Sequence, residues 1–144
     1  LLFQRNDDNP VIKEVEWNPA FSDQIFFVHL NQKQKSDQEV LSYSALKFDR
    51  LLVIEKFSRL TADFVECNDI NEFEGLVKEH EKELSSILKR ATIKQSLFSD
   101  YEGAVKSLGA WGGDFILATG TKETPRYFKN KGFETILTYS EMIL

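Results

Sequence analysis

Between Val105 and Ala118 the chain reads Val-Lys-Ser-Leu-Gly-Ala-Trp-Gly-Gly-Asp-Phe-Ile-Leu-Ala, and three of its seven glycines fall within five residues. Gly109, Gly112 and Gly113 separate a short half-apolar run from the unbroken apolar run Phe115 to Ala118. That order predicts strand, tight loop, buried strand. Glycines permit positive φ, so successive backbone N–H groups can turn toward one point and form a concave nest for an anion. A hairpin whose glycines serve only the turn fits the same residues. The spacing is not Gly-x-Gly-x-x-Gly and no Gly-Lys-Ser/Thr follows, so neither a dinucleotide fold nor a Walker loop is indicated.

Around this loop the 144 residues, 42% hydrophobic and 28% charged, suffice for one domain with a sizeable core. With 18 basic against 23 acidic residues, the net charge of -5 opposes binding to nucleic acid. No apolar run approaches the roughly 18 residues of a membrane helix, and Leu1 to Phe3 is too short for a signal peptide. Cys67 is the only cysteine, which rules out an internal disulfide and suits a reducing cytoplasm. The chain opens on Leu1, directly in an apolar run, as a piece of something longer would.

Leu1 to Gln4 and Val11 to Trp17 flank the turn formers Asn6 to Pro10 and predict a hairpin, with Val15 and Trp17 on one face. Ile25 to Leu30 is continuously apolar apart from His29 and predicts a central strand. His29 has the pattern of a core histidine held by hydrogen bonds. Ser36 and Glu39 form a capping-box pattern, predicting a helix from Ser36 to about Val65. Its stripes Leu41, Ala45, Phe48, Leu52 and Val53, Phe57, Leu60, Phe64 are expected to face the sheet. Asp69 and Glu72 repeat the cap before a second helix bearing Phe73, Val77, Leu84 and Ile87, in which His80 is expected to be a hydrogen-bonded interhelical residue. A short helix near Ile93 to Phe98 and the glycine hairpin follow. Next comes a helix capped by Thr121 or Thr124 and closed by Gly132, then a last strand from Phe133 to Tyr139. The order predicts an α+β domain, a largely antiparallel sheet with helices covering one face.

Lys33 and Lys35 precede the helix start at Ser36, where two ammonium groups and a helix N-terminus would attract an anionic substrate; a solvated loop with incidental charges is the other reading.

Gly109, Ala110, Gly112 and Gly113 resemble the third motif of the GHMP kinases, usually Gly-Ala-Gly-Gly-Gly, with Trp111 and Asp114 where small residues are usual. The Trp-Gly-Gly-Asp variant resembles a bacterial branch named for a Gly-Tyr-Asp-Ile-Ala motif. The resemblance implies a ferredoxin-like C-terminal domain whose loop, Gly109, Ala110, Trp111, Gly112, Gly113 and Asp114, closes on the nucleotide phosphates. It further implies ATP and Mg2+ as cofactors and mevalonate or phosphomevalonate as the small-molecule acceptor. The family's Pro-x-x-x-Gly-Leu-Gly-Ser-Ser nucleotide loop and its catalytic acidic and basic residues are absent, so they are expected in an N-terminal domain ahead of Leu1. A carboxylate about 6 Å from a phosphate oxygen would oppose binding by roughly 3 kcal/mol at an effective dielectric near 20. Asp114 must therefore turn back onto the amides of its own hairpin or meet a counter-charge such as magnesium. The alternative function is a non-catalytic α+β module that binds a small ligand or a partner.

Overall fold

The computed structural model describes residues 2–4, 10–31, 48–109 and 113–143. β1 (Leu2–Gln4) and β2 (Val11–Lys13) form a separate antiparallel ribbon. Beyond it Val15 and Trp17 are half-buried and Glu14 and Glu16 exposed, the expected sidedness, although the strand itself stops at Lys13. A single 3-10 turn (Ser22–Gln24) leads into β3 (Ile25–His29), which is buried except at His29.

Two long helices follow, α1 (Arg50–Glu66) and α2 (Ile70–Leu88). The start of α1 corrects the sequence reading. Asp49 is extended, with ψ 102°, and its carboxylate accepts from the amides of Leu51 and Leu52, so a helix with its own cap begins here and the expected single helix is not continuous through Phe48 and Asp49. Leu51, Leu52 and Ile54 are exposed, so the stripe through Leu52 does not face the sheet; Leu41, Ala45 and Ser36 lie outside the described residues. Asp69 caps α2 as expected, accepting from Asn71 and Glu72. Lys56 of α1 reaches Glu83 of α2 at 2.6 Å, a half-buried ion pair that ties the two helices together.

A short α3 (Ile93–Leu97) carries a complete capping box from Thr92 and Gln95. β4 (Val105–Ser107) and β5 (Phe115–Thr119) make the expected hairpin, then come α4 (Thr124–Asn130), β6 (Ile136–Thr138) and α5 (Tyr139–Met142). The N-cap of α4 is Glu123 by geometry and has no side-chain bond; Thr124 Oγ1 instead accepts from the amide of Thr121. The expected last strand is shorter at both ends. Thr138 and Glu141 close a capping box that turns the chain into α5 at Tyr139.

The four strands lie in the order β4-β5-β3-β6 with every neighbouring pair antiparallel. With helices between β3 and β4 and between β5 and β6, this is the strand order of a split βαβ fold, and the α+β class is as expected. The covering of the sheet is a correction. Ile25, Phe27 and Leu117 pack against Phe73 and Val77 of α2, while Val28, Ile116 and Ala118 pack on the opposite face against Phe98 and against Phe128 of α4. Helices therefore close both faces. The unbroken apolarity of β3 and β5 follows from this, because each alternate residue has a core to enter. Among the described residues no helix is long and apolar enough to cross a membrane.

Candidate functional site

The hairpin between β4 and β5 stands at one end of the sheet. Leu108 N–H donates to Phe115 O at 3.2 Å, closing the strand ladder. Gly109 has φ 72° with open space where a side chain would begin, so its need for glycine is conformational. Gly113 differs, since it is not in the positive-φ region and a Cβ there would collide with the Leu108 carbonyl oxygen. Its requirement is close approach. Asp114 O accepts from Leu30 N at 2.7 Å, which joins the hairpin to the exit of β3. The Asp114 side chain is exposed, and the hairpin amides of Ala110, Trp111 and Gly112, onto which it was expected to turn back, lie outside the described residues. Ala110, Trp111 and Gly112, and the substrate candidates Lys33, Lys35 and Ser36, lie outside the described residues. His29 Nδ1 donates to Asn31 Oδ1 at 3.0 Å and the half-buried ring packs on Phe115, so the histidine has the hydrogen bond that was expected.

Behind the hairpin a second feature is assembled from distant parts of the chain. A groove of about 390 Å³ is walled by Trp17, by Phe64 of α1, by Phe73 and His80 of α2, and by Lys106 and Leu117 on β4 and β5. Leu108, which supports Gly113, also lines it. Lys106 and Leu117 are register partners, so the ammonium-bearing stem rises from the face that the long helices cover. Lys106 Nζ donates to Ser107 O at 3.1 Å and makes no ion pair among the described residues. Burial lowers its pKa, outweighing the opposing effect of the Glu81 carboxylate. Glu81 is itself buried and accepts from Ser107 Oγ at 2.9 Å and Ser107 N at 3.2 Å.

His80 stands edge-on to Phe57 at 5.0 Å and near Phe64 at 6.2 Å, interhelical as expected. The expected hydrogen bond is missing among the described residues: the buried Nδ1 has no hydrogen-bond partner there, and Glu81 Oε1 is 4.0 Å away. Burial first, and Lys106 second, lower its pKa from 6.5 to about 4. The unfolded chain then holds more protons than the folded one between these two values, so stability rises with pH across that window and is lost as pH falls through it. At one proton and about 1.4 kcal/mol per pH unit, stability near pH 5 should be about 2 kcal/mol below that near pH 7. Urea midpoints of the wild type and of His80→Phe at the two pH values check this; the difference should disappear in the variant.

At the other end of the sheet a cleft of about 540 Å³ opens beside Glu74, Tyr101, Gly103, Gly120 and Thr124. Its floor is a closed network. Tyr101 Oη donates to Thr119 O at 2.6 Å and meets Thr124 Oγ1 at 3.0 Å, while Thr119 Oγ1 donates to Glu74 Oε1 and accepts from Ala104 N. Every group is satisfied, which is the arrangement of a structural joint. No cluster of three histidine, cysteine or carboxylate side chains placed to hold a metal occurs among the described residues.

No protein-family model and no curated protein matches the chain. A solved structure is similar: the crystal structure of a Lin0012 protein from Listeria innocua, 18% identical, with a TM-score of 0.64 over 89% of this chain and 41% of that one. At that identity the likeness shows the fold alone. The chain spans 41% of the length of that protein.

Proposed function

We propose that this chain is the C-terminal part of an ATP-dependent small-molecule kinase of the GHMP type, with mevalonate or phosphomevalonate as acceptor. The observation that carries the reading is the hairpin tip itself. Gly109 is left-handed with open space where a side chain would begin, Gly113 packs bare against the Leu108 carbonyl, and Asp114 ties the hairpin to the exit of β3. At Gly109 the backbone is open to close approach by a phosphate. Phosphoryl transfer is mainly positioning and charge stabilisation, to which a loop of this kind contributes without any catalytic side chain of its own. Mg2+ would arrive with the nucleotide, since it is bound through substrate phosphates and one or two carboxylates; Asp114 is the exposed carboxylate at the tip. The second reading, a non-catalytic ligand-binding module, is favoured by the groove beside Lys106.

The test is ADP release by the longer protein that the reading requires, across mevalonate, phosphomevalonate, homoserine and sugars. One acceptor should support turnover, and the isolated 144-residue chain should show none above a blank. Gly112→Val should then lower turnover by about a hundredfold, the scale of a lost backbone donor to developing charge, with little change in melting temperature. Absence of turnover with every acceptor, or a melting temperature that falls in step with the rate, would refute the kinase reading.

A further inference from the structure

The groove between the long helices and the sheet combines an apolar wall with one cationic group. Phe64, Phe73, Leu108, Leu117 and the Trp17 ring supply the wall, and among the described residues no carboxylate side chain lines it. Lys106 has three N–H donors and, among the described residues, one acceptor, the Ser107 carbonyl. The Glu81 carboxylate offsets part of the cost of burying this ammonium, but it is hydrogen-bonded to Ser107 and does not line the groove, so a carboxylate arriving through the groove would meet the ammonium directly. We propose that the groove binds a small amphipathic monocarboxylate, its carboxylate on Lys106 Nζ and its apolar body against Trp17, Phe64 and Phe73. The volume of about 390 Å³ falls within the range of small-molecule sites. A single carboxylate fits better than a phosphate dianion because there is one ammonium to meet it, and a second charge would enter an apolar wall unmatched. His80 adds a polar edge without a competing charge, being neutral at pH 7. This site is separate from the hairpin tip and stands whether or not the kinase reading holds.

Titration calorimetry on the isolated chain tests it with octanoate and octan-1-ol as probes. Octanoate should bind with one-to-one stoichiometry and more tightly than octan-1-ol, because only the acid brings a negative charge to Lys106 Nζ. Lys106→Met, which keeps the length of the stem, should weaken octanoate by about tenfold or more, the scale of a lost charge-assisted hydrogen bond, and leave octan-1-ol unchanged. Leu108→Trp, which fills the groove from its rim, should abolish both and serves as the decisive variant if Lys106→Met does not fold. Equal affinity for acid and alcohol, octanoate affinity indifferent to either variant, or no octanoate binding at millimolar concentration would each overturn the proposal.

Discussion

Phe98→Ala should destabilise the chain by about 3 to 5 kcal/mol, the range for removing a fully buried aromatic ring, and lower its melting temperature by roughly 10 °C. Phe98 is completely inaccessible and packs edge-on to Phe128 at 5.1 Å and Phe133 at 5.5 Å. These rings fill the face of the sheet that the long helices do not touch. A large loss there would establish that this face is core in the full sense, and Leu97→Ala one residue away, exposed at the surface, should change stability by no more than about 0.5 kcal/mol. Urea denaturation of the two variants provides the comparison. Near-equal effects would mean that the second face is only loosely closed.

Gly103→Ala should cost about 3 kcal/mol, although alanine is ordinarily the mildest replacement for glycine. A Cβ at this position would enter the space of the Thr119 carbonyl and of the Tyr101 ring. Backbone cannot yield as a side chain can, and the displaced Thr119 oxygen is the one that accepts from Tyr101 Oη. The variant therefore loses packing and a buried hydrogen bond together. Gly132 provides the contrast: its φ is 90° but nothing lies near its Cα, so Gly132→Ala should cost only the left-handed penalty of about 1 kcal/mol. Midpoints of chemical denaturation for the two variants separate steric from conformational demand. A Gly103→Ala loss no greater than that of Gly132→Ala would show that the network around Tyr101 is slack.

The sequence made the local signals legible where one residue type decides the outcome. Asp69 as a cap, the strand-loop-strand around the glycines and the closure of α4 by Gly132 are of this kind. Errors arose where two local signals compete. The alternation from Phe133 to Tyr139 has the period of a strand, yet the Thr138 and Glu141 pair ends it because capping satisfies amides that an outer strand would leave bare. Likewise the apolar periodicity runs on through Phe48 and Leu52, yet Asp49 begins a helix of its own there, because a side-chain cap for two amides outweighs continuity of the stripe. The second covered face escaped because α3 and α4 are too short to show an apolar stripe, although the unbroken runs in β3 and β5 were its trace. The groove was invisible for another reason: Trp17, His80 and Lys106 come from three separate parts of the chain, and only a tertiary arrangement brings them to one wall.

Both outer strands of the sheet, β4 and β6, are three residues long, and on each a glutamate already occupies a backbone amide: Glu81 takes that of Ser107 and Glu141 that of Thr138. An incoming strand from another chain would have to evict a carboxylate before it could form its first rungs, at a site only three residues long. Self-association by edge-to-edge sheet growth is thereby discouraged, and with it the route by which exposed strands seed fibres. A protein that joins this domain therefore gains more from its side chains or its loops than from the short margins of the four-stranded sheet.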